Sequence, residues 1–367
     1  MSPSPEPVRF EDLDDDILIY ITNFALHPDL EQVKLFDLSR RMRNVFQPIR
    51  FRHIWWAPCD TEFPPEELFP YIHELTIVPD QMSSVSKFNH IEIAAELRQK
   101  LPLLPHLNTF YLGMRIEGGL WTELVECLAA APNLTSFGIF SPWSANETMD
   151  EPWQLADELS PPPLQMILYP FPIETKHGWS IRRRHPLLLD FAAANLRRLL
   201  SACHTTLDNV ELLGELFLGS FDTKIEWTSL RELFVIGFWP EWDLEERPEP
   251  SEMLSVLELL PNLRTLVLLM SVGCDEPEGR TVLIPRDAPA PQQASTFLAH
   301  LNRFDMASLT PIDRILNLLP AGLESLTLTR YPAELAEIDM RQPILPCLEL
   351  LAMLAELEFP GLKTLHV

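Results

Sequence analysis

One short pattern governs what this chain can fold into: an apolar residue, two variable ones, a second apolar residue, one variable, a third apolar residue. It recurs as Ile72-Leu75-Ile77, Leu107-Phe110-Leu112, Leu134-Phe137-Ile139, Leu207-Val210-Leu212, Leu230-Leu233-Val235, Leu263-Leu266-Leu268, Leu323-Leu326-Leu328 and Leu362-Leu365-Val367. The last two apolar positions are two apart, so they share one face of a short strand, while the first turns inward as the chain approaches. No single unit can cover its own buried row. Neighbours must therefore stack, which predicts a curved solenoid with a parallel sheet along one surface. Helices suited to the outer layer are read over residues 86–100, 120–131, 187–204, 251–260 and 312–319, where apolar residues keep helical spacing, as at Leu254, Leu257 and Leu260.

Several recurrences share a run-in, a proline or tryptophan just before the first leucine, as in LPHLNTF, APNLTSF, WTSLREL, LPNLRTL and FPGLKTL. With that run-in the array resembles an irregular leucine-rich repeat. The spacing between units is uneven, and Leu164-Ile167-Tyr169 divides the longest interval. Residues 141–163 and 271–311, rich in proline and acid, are expected to be loop insertions. The competing reading is a non-repeating α/β domain whose strands share a composition.

Ahead of the repeats lies a different kind of sequence, residues 10–56, FEDLDDDILIYITNFALHPDLEQVKLFDLSRRMRNVFQPIRFRHIWW, which follows a short tail, residues 1–9. Leu13, Ile17, Ile21 and Phe24 fall on one helical stripe with Leu18 beside it, and Asp14, Asp15 and Asp16 suit the positive end of that helix. Asp29 and Ser39 can cap a second and a third helix, the third ending at Pro48. Three such short helices enclose little core and leave apolar surface for a partner. Leu13-Asp14-Asp15-Asp16-Ile17-Leu18, Ile21 and Leu38-Ser39-Arg40-Arg41-Met42-Arg43 resemble an F-box, although Asp14 stands where the pattern has proline and Met42 where it has an aromatic. The resemblance implies that Leu13, Ile17, Leu18, Ile21, Leu38 and Met42 bind a Skp-type adaptor, which connects to a cullin. Residues 57–367 would then hold an unknown protein substrate. The chain as a whole would be the substrate-recognition subunit of a Skp-cullin-F-box ubiquitin ligase, itself carrying out no covalent step. Two alternatives stand beside it: an interaction scaffold whose first helices only cap the solenoid, and an enzyme whose site follows no known motif.

Charge narrows the choice of partners. The 28 Lys and Arg against 53 Asp and Glu leave a net −25, which repels phosphate backbones and anionic lipid, so neither nucleic acid nor a membrane surface is expected. Residues 34–52 run the other way: Lys34, Arg40, Arg41, Arg43, Arg50 and Arg52 face only Asp37, a patch suited to an acidic protein and equally compatible with a solvated helix face. Five scattered cysteines without a Cys-x-x-Cys pair read as reduced thiols, consistent with the cytoplasm or nucleus. The acidic, proline-rich beginning does not resemble a signal peptide, and no apolar run reaches the length of a spanning helix. Phosphate-binding glycine motifs and the Gly-x-Ser-x-Gly elbow are absent, so neither catalysis nor a cofactor is expected. His177, His185, Cys203 and His204 do not follow a zinc spacing.

Within the proposed strands, the residues that alternate with the buried row point into the concave side. Tyr111, Leu213, Phe234, Ile236, Val267 and Leu269 are therefore candidate substrate contacts, unless residues 271–311 fold over them. Trp239 and Trp242, set among acids in GFWPEWDLEERPEP, form a second candidate suited to a basic peptide, with packing against their own domain as the alternative.

Overall fold

The computed structural model describes residues 13–25, 40–58, 61–78, 89–113, 120–140, 154–169, 186–239, 250–271, 282–291, 296–307, 309–329, 346–355, 357 and 359–367. A single parallel sheet of 11 strands dominates it, and the strands lie side by side in chain order. They are β1 (His53–Trp56), β2 (Glu74–Ile77), β3 (Thr109–Leu112), β4 (Ser136–Ile139), β5 (Met166–Leu168), β6 (Asn209–Leu213), β7 (Glu232–Phe238), β8 (Thr265–Ser271), β9 (Arg303–Ala307), β10 (Ser325–Thr329) and β11 (Thr364–His366). All eight recurrences are strands of this sheet, and from β2 to β10 their apolar positions are buried in one continuous core. The inward-turning first leucines, among them Leu107, Leu134, Leu207, Leu230 and Leu263, are buried too.

Register follows from the repeat. At each step along the sheet two successive backbone N–H groups converge on one carbonyl of the preceding unit: His73 and Glu74 on Arg52, Asn108 and Thr109 on His73, Thr135 and Ser136 on Asn108, and so on to Lys363 and Thr364 on Glu324. The polar residue before the first leucine adds a second stitch. Asn133 Nδ2 donates to Pro105 O (2.7 Å), Ser229 Oγ to Thr205 O (2.6 Å) and Asn262 Nδ2 to Thr228 O (2.8 Å). Each acceptor lies two residues ahead of the equivalent leucine in the previous unit. These bonds give a physical reason for the Pro-Asn-Leu and Thr-Ser-Leu run-ins, since they satisfy turn carbonyls as neighbouring units stack.

Helices line the other side: α1 (Asp15–Ala25) and α2 (Arg40–Arg50) precede the sheet, and α3 (His90–Lys100), α4 (Thr122–Leu128), α5 (Pro186–Cys203), α6 (Gly214–Ser220), α7 (Pro250–Glu258) and α8 (Cys347–Ala355) follow in turn. Four of the expected outer helices are present within a few residues of their predicted bounds. The fifth, residues 312–319, is instead a short 3-10 turn at Ile315–Leu318. Asn89 caps α3 by accepting from the Glu92 backbone N–H. Pro48 lies inside α2 rather than at its end, because the helix runs on to Arg50.

Two predicted boundaries move. The sheet begins inside residues 10–56, because Phe51-Ile54-Trp56 obeys the repeat pattern and β1 pairs with β2. Residues 271–311 are not a plain loop either: Leu301-Phe304-Met306 obeys the same pattern and forms β9 between β8 and β10. Leu283 and Ile284, from the same stretch, are buried in the main core. Asp313 holds them there. Its carboxylate accepts from the backbone N–H of Leu283 (2.6 Å), Ile284 (3.3 Å) and Ile315 (2.9 Å).

Burial pushes the Asp313 carboxyl up to about 6 from its ordinary 3.8, against the lowering effect of those three N–H donors. Between about pH 4 and 6 the folded chain therefore keeps a proton that the unfolded chain has released, so stability falls as pH rises through that window. The expected loss is about 3 kcal/mol, at about 1.4 kcal/mol for each pH unit separating the two values. Urea titrations of the wild type and of Asp313→Asn at pH 4.5 and 7 capture about 2 kcal/mol of it, the part lost above pH 4.5. The variant lacks this slope, and a difference in stability that does not change with pH would show the carboxyl to be unshifted.

Candidate functional site

Three rows of side chains, in register across the sheet, form the face opposite the main core, the one the repeat pattern assigns to the concave side. The first carries His53, Glu74, Thr109, Ser136, Met166, Asn209, Glu232, Thr265, Arg303, Ser325 and Thr364. The second carries Trp55, Thr76, Tyr111, Gly138, Leu168, Glu211, Phe234, Val267, Asp305, Thr327 and His366. Ile236 and Leu269 pair in the third.

Tyr111 lies across the face. A Cβ at Gly138 would come within 2.1 Å of its ring, so the glycine is the notch into which that ring settles. The ring also meets Phe140 at 4.8 Å. Burial raises the Tyr111 hydroxyl above its usual range, and the carboxylates of Glu74 and Glu211 raise it further. Glu74 pairs with His53 (3.0 Å), and Glu232 accepts from Asn209 Nδ2 (2.7 Å). Farther along, Asp305 is clamped by Arg303, and its other oxygen is buried without a hydrogen-bond partner among the described residues.

The structure brings three of the expected substrate contacts, Phe234, Ile236 and Leu269, next to one another and leaves Tyr111 four strands away on β3. All four are half-buried on this face. Two corrections are needed. Leu213 is buried because the chain passes there directly from β6 into α6. Val267 is buried between Phe234 and Asp305, the latter drawn down against Arg303. Both are floor rather than contact surface. Trp239 is half-buried and packs against the main core, as its alternative reading had it, and Trp242 lies outside the described residues. Sequence reasoning missed Trp55 at the head of the second row, 73% exposed, because β1 was hidden in the helical segment.

The helical module has a core of its own. Leu18, Met42 and Phe46 are buried together, with Leu13, Val45, Ile49 and Phe51 packed around them, separate from the main core. Arg41 joins the helices by donating to the Asp15 carboxylate and to Leu13 O (2.7 Å). Being exposed, that ion pair contributes no more than about 1 kcal/mol. Leu18 and Met42, expected to face an adaptor, thus face inward. Ile17 (45% exposed) and Tyr20 (69%) lie outward, three residues apart on one side of α1. Tyr20 was not expected from the sequence. The side chain of Ile21, all of Leu38 and the second expected helix lie outside the described residues. Arg40, Arg43, Arg50 and Arg52 of the basic patch are exposed.

No group of three metal-ligating side chains occurs among the described residues, and none of the described helices is long and apolar enough to cross a membrane. Burial pushes the thiols of Cys127 and Cys203 up to about 12, which keeps them protonated and unreactive. Cys347 is exposed. Brief alkylation with iodoacetamide at pH 8, read by peptide mapping, is therefore expected to label Cys347 and to leave Cys127 and Cys203 intact until urea is added. Labelling of either buried thiol in the native chain at the rate of Cys347 would contradict this packing.

No protein-family model matches the chain, and no curated protein is significantly similar to it.

Proposed function

We propose that the chain is a substrate-recognition subunit of a Skp-cullin-F-box ubiquitin ligase. The observation that carries this reading is the pairing of an F-box-like sequence with a small helical unit that has its own core and turns Ile17 and Tyr20 outward. Behind it, a parallel solenoid with irregular leucine-rich repeats offers a half-buried apolar and acidic concave face for a protein substrate. Such a subunit acts by proximity. It raises the effective concentration of a substrate lysine near a charged ubiquitin carrier, and the assembly supplies the chemistry.

One observation favours a second reading, a repeat scaffold outside any ligase. Leu18 and Met42 serve the module's own core, as they would in a helical cap on the solenoid. Affinity purification of the tagged, intact chain separates the two. Recovery of a Skp-type adaptor and a cullin supports the ligase. Repeated recovery of neither, from cells that contain both, leaves the scaffold.

A further inference from the structure

The concave face is chemically lopsided. From β2 to β7 no strand position is occupied by lysine or arginine, whereas Glu74, Glu211 and Glu232 all project onto that side. Glu74 pairs with His53, and Glu232 accepts from Asn209 Nδ2. Arg303, in the row of Glu232 two strands beyond β7, is clamped to Asp305, and Arg231 donates back to Thr228 O at 2.9 Å. Between the carboxylates stand half-buried aromatic side chains, Tyr111 with one edge of its ring set against Gly138 and Phe234 on β7. Carboxylates next to half-buried aromatic rings suit a cation carried on an apolar stem, and they repel an acidic segment.

We propose that this strip, β2 to β7 of the concave face, docks an extended basic segment of a partner protein. Lysine or arginine side chains would meet Glu74, Glu211 and Glu232, and alternate aromatic or aliphatic side chains would rest on Tyr111 and Phe234. This deepens the reading of the solenoid as a substrate-holding surface and rests on it. The basic character follows from charge complementarity. Rows of side chains on adjacent strands repeat about every 4.8 Å, so a segment crossing the strands meets successive carboxylates and rings in turn. A basic ligand also opposes the field of the whole chain, which speeds its encounter with the face.

Panning a phage-displayed library of random dodecapeptides on the intact chain tests the proposal. Enriched sequences are expected to carry several lysines or arginines interspersed with aromatic or aliphatic residues. A fluorescein-labelled winner should bind at least about ten-fold more weakly to the triple variant Glu74→Gln, Glu211→Gln, Glu232→Gln, and its affinity should fall steeply with added salt. Circular dichroism of the triple variant confirms that it keeps its fold, and Glu126→Gln on α4 serves as a control that leaves binding unchanged. Enrichment of acidic or charge-neutral sequences overturns the proposal, as do equal binding by the triple variant and failure to enrich any sequence. Adaptor recovery is scored separately. Basic-peptide binding without an adaptor removes the ligase but keeps the groove, whereas adaptor recovery without basic preference does the reverse.

Discussion

Phe137→Ala will lower the stability of the chain by about 4 kcal/mol, the usual cost of emptying a fully enclosed phenylalanine site. Phe137 has no exposed surface, stands at the middle apolar position of β4 and meets the Phe110 ring of β3 at 6.1 Å. Because each unit is buried by its neighbours, the cavity also weakens the stacking of β3 and β5 on β4. Phe140→Ala, three residues on, is the matched control. That ring is 37% exposed on the concave side against Tyr111, so its loss costs about 1 kcal/mol. Urea titration followed by circular dichroism gives both values. The contrast tests register directly, since a slip of one residue in β4 would send Phe137 outward and Phe140 inward. Equal losses would mean that the alternation described for this strand is wrong.

That alternation was the most legible property of the sequence. Spacing alone identified the strand order, the buried leucines and the face each side chain takes, because a two-residue period leaves only two choices. β1 and β9 were hidden for opposite reasons. Phe51-Ile54-Trp56 follows directly on a helical pattern and was absorbed into it. Leu301-Phe304-Met306 sits in a stretch whose prolines and acids suggested a loop. In both, aromatic residues or methionine replace leucine at repeat positions, and the physical requirement is only an apolar side chain of suitable volume. The concave site was legible in outline and not in depth. Periodicity assigned Leu213 and Val267 to the right strands, but it carries no information about what lies beside or beyond them, and the α6 turn and the Arg303–Asp305 clamp decide that. The same limit applied to α1. Leu18 and Ile17 are adjacent apolar residues, and nothing in the spacing of one helix states which of its two apolar sides a second helix will cover.

That ambiguity sets up the largest expected effect on binding. If α1 is an adaptor-binding helix, its contact residues are those left outside the module's core, so Ile17→Asp combined with Tyr20→Asp should abolish capture of the Skp-type adaptor. Two anchoring side chains at about 2 kcal/mol each amount to roughly a thousand-fold in affinity. The double variant should unfold at the same urea concentration as the wild type, because both positions are substantially exposed, at 45% and 69%. Leu18→Ala also loses the adaptor, but by another route: it empties a core of three buried side chains, Leu18, Met42 and Phe46. Local melting of α1 and α2, seen by hydrogen exchange, should accompany that loss and should be missing from the double variant. Undiminished capture by the folded double variant would remove α1 from the interface. If Leu18→Ala then abolished capture on its own, the adaptor would be reading the intact module through another of its faces.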